Sequence, residues 1–192
     1  MIVGLLLAAG GARRFGSQKL IHPFDGRPLV RHAAEVLAAA TGALVVVVGN
    51  GANAVSASLE GLGARIVENP HWSDGLSTSL RAGIAALPSD AEAAIVCLGD
   101  QPRVSGDVIR RVIETWRATR LPIVSARYRG TRGHPVLFDA AVFSELGGLS
   151  GDAGARMLIE RDATRVGYVD VDAAVPGDVD SPDDLKLVQE TE

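Results

Sequence analysis

The sequence predicts an α/β domain with a mostly parallel sheet and helices on both of its faces. Three observations lead there. Short runs that are almost entirely apolar recur at residues 2–7, 43–48 and 93–98, as strands covered on both faces do. Between the runs lie stretches with apolar residues at helical spacing. Strand and helix alternate along the chain, which is the pattern of crossover connections in a parallel sheet. The 192 residues contain no repeat and no linker-like stretch, so one domain spanning 1–192 is expected.

The elements follow in order. Residues 2–7 form the first strand. A helix over 28–41 carries Leu29, Ala33, Val36, Leu37 and Ala40 on one face and stops at Gly42. The run 43–48 (ALVVVV) is the second strand. An alanine-rich helix near 52–62 and a short strand at 65–67 come next. Leu76, Leu80, Ile84 and Leu87 then mark a helical stripe ended by Pro88, and residues 93–98 give another buried strand. Ser105 is a candidate N-cap for a helix with Val108, Ile109, Val112, Ile113 and Trp116 on one side. Further strands are expected at 121–126, 135–138 and 165–171. The closing helix starts at Pro182, with Ser181 as cap and Asp183 and Asp184 in the first turn.

Composition narrows the function classes. A net charge of −4 argues against a protein that coats nucleic acid. Cys97 is the single cysteine, so neither an intramolecular disulfide nor a multi-thiol metal site is available. In its apolar run it reads as a small buried hydrophobe. The N-terminal run lacks a basic leader and breaks at glycines followed by Arg13 and Arg14, so it reads as a strand rather than a signal peptide. No run reaches the ~18 apolar residues of a membrane span. A cytoplasmic protein with no nucleic-acid and no membrane partner is expected.

Parallel sheets bind ligands at the carboxyl ends of their strands. The places to look are therefore just after residues 7, 48, 67 and 98. After the first strand stand Leu7, Ala8, Ala9, Gly10 and Gly11, a loop whose small residues let backbone N–H groups approach phosphate oxygens. Arg14 and Lys19 follow with positive charge for a polyphosphate. The loop is not a Walker motif, because Ser17 and Gln18 separate Gly16 from Lys19. Nor is it the dinucleotide fingerprint, since Gly10 and Gly11 are adjacent.

Asp100, in the run Gly99-Asp100-Gln101-Pro102 after the strand at 93–98, faces the same sheet edge. A carboxylate there suits Mg²⁺, which takes one or two carboxylates together with substrate phosphates. In the stretch 176–184 helix capping accounts for Asp183 and Asp184 but not for Asp178 or Asp180. Asp180 is the preferred second metal carboxylate. Gly133, His134 and Pro135 follow the cations Arg127, Arg129 and Arg132, a grouping that suggests an anionic acceptor. Gly151 and Asp152 lie in a small-residue turn (GDAGAR) before another helix. The segment 69–79 opens a helix whose N-terminus is also placed to receive a ligand, with Ser77 and Ser79 as candidate nucleotide contacts.

At these residues the chain resembles the molybdenum cofactor nucleotidyltransferases, and most of all their cytidylyltransferase branch. Residues 7–19 are similar to L-A-A-G-x-S-x-R-M-G-x-x-K, with Ala12 in place of Ser and Phe15 in place of Met. GDQP at 99–102, RGHPVLF at 132–138, GDAGAR at 151–156 and DVDSPDDL at 178–185 recur in the same order. The resemblance spans nearly the whole chain. It implies a Rossmann-like three-layer α/β/α nucleotidyltransferase fold. It also implies that residues 7–11, Arg14 and Lys19 hold the nucleotide, that Asp100 and Asp180 bind Mg²⁺, and that Gly133, His134, Pro135, Gly151 and Asp152 face molybdopterin. Ala9, where the guanylyl branch tends to carry Gly, favours CTP over GTP.

The implied reaction is in-line attack of the acceptor phosphate on the α-phosphorus of CTP, with Lys19, Arg14 and Asp100 as the catalytic set. A molybdoenzyme would receive the product. Alanine at Lys19 or Asp100 is expected to remove activity with little loss of stability. Rival readings are a guanylyltransferase of the same family, a transferase using another phosphorylated acceptor, and a non-catalytic molybdopterin carrier. The missing glycine spacing disfavours a nicotinamide dehydrogenase.

Overall fold

The computed structural model of the chain describes residues 1–11, 15–16, 18–149 and 155–190. In chain order the strands are β1 (Ile2–Ala8), β2 (Pro23–Phe24), β3 (Arg27–Pro28), β4 (Ala43–Val48), β5 (Arg65–Glu68), β6 (Ala93–Leu98), β7 (Ile123–Tyr128), β8 (Thr131–Asp139) and β9 (Val166–Val171). The helices are α1 (Leu29–Ala40), α2 (Ala52–Ser58), α3 (Leu76–Ala85), α4 (Gly106–Thr119), α5 (Phe143–Gly147), α6 (Arg156–Arg161) and α7 (Pro182–Glu190).

The strands make a seven-stranded sheet in the order β5-β4-β1-β6-β8-β7-β9 and a two-stranded hairpin, β2-β3. Every pairing in the large sheet is parallel except those of β8, which runs antiparallel to β6 and β7. The mostly parallel sheet expected from the apolar runs is therefore present. The pleat explains why those runs are apolar throughout. In β1, Leu6 and Ala8 join the core under α1, α2, α4 and α7, while Val3, Leu5 and Leu7 join the core under α3, α5 and α6. Two cores, one on each face, make three layers.

Several boundaries differ from the sequence reading. Helix α1 starts one residue late, because Pro28 belongs to the β2-β3 hairpin. It ends at Ala40, with Thr41 already extended and its hydroxyl donating to the Leu37 carbonyl at 2.8 Å. Helix α2 stops at Ser58 rather than 62, ahead of Gly61 and Gly63, both at positive φ. The stripe expected through Leu76, Leu80, Ile84 and Leu87 packs on the core at Leu80, which is buried, and at Ile84 and Leu87, which are half-buried against the same cluster. Ser77, Thr78, Ser79, Leu80 and Gly83 are buried, and Leu76 is exposed. Gly83 lies flat on the sheet, where a Cβ would meet Leu5 at 2.5 Å.

Strand β8 begins four residues before the expected start at 135, because Arg129 and Gly130, both at positive φ, turn the chain back from β7. The reading of α4 holds: Ser105 accepts from the Val108 amide, and Val108, Ile109, Val112, Ile113 and Trp116 are buried. Helix α7 also starts as expected. The Asp184 amide donates to Ser181 Oγ, while the Asp184 carboxylate accepts from the Ser181 amide. Cys97 is fully buried in β6, and burial pushes its thiol up to about 12. Among the described residues no helix is long and apolar enough to cross a membrane.

Candidate functional site

The chain runs from β1 outward to β4 and β5, then returns to place β6 on the other side of β1. The sheet's order therefore reverses between β1 and β6, and in such sheets the crevice opens beyond the carboxyl ends of those two strands. Leu7 pairs with Leu98 in register, and the Gly99 amide donates to the Leu7 carbonyl at 2.9 Å. The loop after β1 and the Asp100 segment after β6 thus emerge side by side.

Asp100 is joined there by a segment from the far end of the chain. The Val179 amide donates to the Asp100 carbonyl at 3.0 Å, and the Val179 side chain is fully buried. That anchor holds residue 180 beside residue 100. Lys19 completes the group. Its Nζ lies 2.8 Å from Asp100 Oδ2 and 2.7 Å from Asp180 Oδ1, and its side chain is 6% exposed. The lysine reaches this point on a short 3-10 turn, Lys19–Ile21, whose cap is Gln18 accepting from the Leu20 amide. Burial pulls the Lys19 ammonium down, but the charges and hydrogen bonds of Asp100 and Asp180 outweigh it, and the net shift is upward. Lys19 is a cation at any pH near neutral.

Two clefts open on either side of Leu7, Leu76 and Leu98. The smaller, of about 410 Å³, is lined by Ala9, Gly10, Gly11, Trp72, Ser79 and Asp100, among others. Trp72 lies across the loop: a Cβ at Gly11 would meet its ring at 2.6 Å, and one at Gly49 would meet its Cβ at the same distance. Both positions need glycine for that reason. Asn69 fixes the segment behind it, donating to Thr78 Oγ1 at 2.8 Å and Ser79 Oγ at 3.0 Å.

The larger cleft, of about 530 Å³, has apolar walls that include Leu80, Val136, Phe138 and Ile159. Its polar lining includes Gln101, Gly133, His134, Arg132 and Asp178. Tyr128 donates to the His134 carbonyl at 2.8 Å. Burial lowers the His134 imidazole to about 4, so the ring is neutral at neutral pH. Gln101 Nε2 donates to Asp178 Oδ1 at 2.7 Å. Burial first, then the nearby carboxylates of Asp100 and Asp180, push the Asp178 carboxyl upward against the opposing effect of Gln101 and Lys19.

The residues singled out from sequence sort unevenly. Leu7, Ala9, Gly10, Gly11 and Ser79 line the smaller cleft, Gly133 and His134 line the larger, and Lys19, Asp100 and Asp180 meet. Ala8 points into the core, and Pro135 is buried without lining either cleft. Ser77 is fully buried, its hydroxyl has no partner among the described residues, and it lines neither cleft. Arg14, Gly151 and Asp152 lie outside the described residues. Each cation of the basic run has an acidic partner. Arg127 pairs with Asp170 at 2.6 Å, Arg129 with Asp172 at 2.9 Å and Arg132 with Glu160 at 2.8 Å. Only Arg132 of the three reaches a cleft. Trp72 and Gln101 were missed as site residues. For Trp72, the signal available was an aromatic residue just beyond the strand ending at 68.

Among the described residues no group of three or more His, Cys, Asp or Glu side chains is placed to hold a metal. Asp100 and Asp180 nevertheless bring two hard oxygen donors to one point, the position of the Lys19 ammonium. That donor set fits Mg²⁺ or Mn²⁺ arriving with polyphosphate oxygens as the remaining ligands.

A family model described as a MobA-like NTP transferase domain matches residues 4–166. The nicotine blue oxidoreductase of Paenarthrobacter nicotinovorans is 35% identical, over 96% of this chain and 94% of its own. The molybdenum cofactor guanylyltransferase of Cereibacter sphaeroides is 30% identical, over 96% and 93%. Among solved structures, Rv0371c of Mycobacterium tuberculosis H37Rv is 32% identical, with a TM-score of 0.89 over 99% of this chain and 98% of that one. The same protein has also been solved in complex with manganese, with a TM-score of 0.83.

Proposed function

The chain belongs to the MobA-like NTP transferase family, and from that premise we propose that it transfers CMP from CTP to the phosphate of molybdopterin, releasing pyrophosphate. The observation that carries the proposal is the meeting of Lys19, Asp100 and Asp180 where β1 and β6 end. In this reading the smaller cleft takes the nucleotide and the larger takes the acceptor. The phosphates then lie at their shared wall, next to Asp100.

The loop 9–11 offers small residues and backbone N–H groups to the triphosphate. Lys19, released from the carboxylates by phosphate oxygens, neutralises charge on the transferring group and on the departing pyrophosphate. Arg14 is assigned to the same phosphates from the family resemblance. A divalent ion held by Asp100 and Asp180 would supply Lewis-acid charge withdrawal at those oxygens. The acceptor is a phosphate monoester, already a competent nucleophile near neutral pH. The neutral His134 ring is therefore not required as a base and serves as part of the cleft wall.

The indole of Trp72 is the aromatic surface of the smaller cleft, and we assign it to the nucleobase or ribose. The expected result is that adding a nucleotide changes tryptophan fluorescence through Trp72, since Trp116 is buried in the core. Trp72→Ala should raise KM for the nucleotide by about tenfold, the lower end of what base–aromatic stacking contributes, with a smaller change in kcat. An unchanged KM would remove Trp72 from the site.

The deciding experiment is pyrophosphate release with Mg²⁺ and molybdopterin, comparing CTP, GTP, ATP and UTP. Release with CTP alone supports the proposal. Release with GTP alone keeps the chemistry and overturns the base assignment drawn from Ala9, in line with the guanylyltransferase relative. A second reading is favoured by the nicotine blue oxidoreductase relative and by the apolar walls of the larger cleft. It is reduction of a conjugated, planar acceptor seated there. Oxidation of NADH or NADPH by such an acceptor, with no pyrophosphate release from any nucleotide, would replace the transferase reading.

A further inference from the structure

Asp178 and Asp180 are two residues apart, yet the fold separates them. Asp180 turns to Lys19, whereas Asp178 lines the larger cleft beside Gln101. Residues two apart in a regular strand share a side, but residues 174–180 form no strand, and the irregular backbone around the buried Val179 turns the two carboxylates apart. Asp178 makes no ion pair with Lys19, although it lies close enough to feel the charges of Lys19, Asp100 and Asp180. Among the described residues no Lys, Arg or His forms an ion pair with it; its one hydrogen-bond partner there is the Gln101 amide, on Oδ1.

Gln101 is equally unusual. It is 4% exposed, lines the same cleft, and spends its Nε2 on Asp178. Its Oε1 is buried and has no hydrogen-bond partner among the described residues. Buried polar atoms are nearly always paired, and an orphan of this kind calls for an explanation. The amide cannot be reversed to remove the problem, because its oxygen would then face the Asp178 carboxylate. The free oxygens of the two side chains belong to one hydrogen-bonded cluster that has acceptors to spare and, among the described residues, no donor to satisfy them. Around it stand Leu98, Val136 and Phe138, walls suited to a flat ring.

We propose that Asp178 and Gln101 are specificity residues that read an edge carrying two neighbouring N–H donors on a planar heterocycle, the 2-amino-pyrimidin-4-one edge of a pterin. Such an edge presents an exocyclic amine and a ring N–H side by side, a match for a carboxylate and an amide oxygen. The assignment rests on the larger cleft being the acceptor site. A site built on acceptors rejects a ligand that lacks the donors, because its own buried groups then stay unpaired.

The test is equilibrium binding, followed by ligand fluorescence at neutral pH, of 6-hydroxymethylpterin and 6-hydroxymethyllumazine. The two differ in the 2-position, amino in the first and oxo in the second. The unsubstituted protein is expected to bind the pterin at least tenfold more tightly. Asp178→Asn, with its melting temperature measured as the folding control, is expected to lose that preference. It should also raise KM for the acceptor in the pyrophosphate assay more than it lowers kcat. Equal binding of the two pteridines, or an undiminished preference in Asp178→Asn, overturns the proposal. Because Asp178→Ala leaves the Gln101 amide without a partner, Asp178→Asn is the primary variant and Gln101→Leu the second. Guanosine carries the same edge on a purine. Tighter binding of guanosine than of the pterin would make the ligand a nucleotide and overturn the acceptor assignment. Since binding is read without turnover, loss of the transferase reading in the pyrophosphate assay remains distinguishable from loss of this one.

Discussion

Replacing Lys19 with alanine is expected to lower turnover by about 10²–10³, the typical cost of removing one well-placed electrostatic donor. The expectation from sequence, that stability would hardly change, needs revision. The Lys19 side chain is 6% exposed and forms short ion pairs with both Asp100 and Asp180. Without it, two carboxylates converge on a point with no other cation paired to them among the described residues. Removing one partner of a buried pair costs more than the pair itself contributes, because the remaining charge is left desolvated. The side chains of Asp100 and Asp180 are 26% and 49% exposed, so water relieves much of that cost. A loss of about 1–2 kcal/mol is expected, below the ~3–5 kcal/mol of a fully buried pair.

The same variant has a signature that a merely unstable protein lacks. With the ammonium gone, Mg²⁺ or Mn²⁺ takes over the counter-charge, so added metal should raise the melting temperature of Lys19→Ala more than that of the unsubstituted protein. Turnover should not return with the stability. The pH dependence follows from the upward shift at Lys19, whose ordinary value is 10.5. The pairing contributes stability fully below that value and loses it as pH rises through the higher folded value. The difference in melting temperature between the two proteins should therefore persist through neutral pH and shrink only in strong alkali. A Lys19→Ala enzyme with near-normal turnover would sink the proposed role.

What the sequence disclosed, and what it hid, divides along physical lines. Strands β1, β4 and β6 are buried on both faces, so their runs contain almost nothing but apolar residues, and they were legible to within a residue. The antiparallel course of β8 was not. Its direction depends on the turn at Arg129 and Gly130, and the arginine there takes a positive φ that its residue type does not advertise. The pairing of Arg127, Arg129 and Arg132 was hidden for a related reason. Their partners Asp170, Asp172 and Glu160 lie 28 to 43 residues away, so the run looked like free charge.

The polar centre shows the same division. Asp100 was found because a carboxylate after an apolar strand sits at a known edge of the sheet. Asp180 was a candidate because helix capping leaves it unexplained, and the backbone bond from Val179 to Asp100 supplies the physical reason for its position. That Lys19 lies between the two is a three-body arrangement that no local pattern encodes. Ser77 was drawn in because serines at a helix start suggest ligand contacts. Its side chain faces the core instead, and one position along a helix turns a side chain by about 100°.

Trp116→Ala is expected to cost about 3–5 kcal/mol, the range for truncating a large buried aromatic. The indole is 2% exposed in the core under α4. Its Nε1 donates to Asp139 Oδ2 at 2.9 Å, tying α4 to the end of β8. For a chain of this length each kcal/mol shifts the melting temperature by about 2–4 °C, so a fall of roughly 6–20 °C is expected. Trp116→Phe separates the two contributions. Phenylalanine keeps most of the buried volume but leaves Asp139 Oδ2 without its donor, a cost of about 1–3 kcal/mol. Asp139 Oδ1 still accepts from the Ala141 amide at 2.9 Å, which keeps the loss near the lower end. Position predicts what happens to activity. Asp139 pairs with Ala93, at the start of β6, and Asp100 follows the other end of that strand. Well below its transition temperature Trp116→Ala should therefore keep kcat within about twofold, since distant, independent sites couple weakly. A large loss of kcat in a folded Trp116→Ala protein would mean that packing at the base of the sheet reaches the site, and the two ends of β6 could no longer be treated as independent.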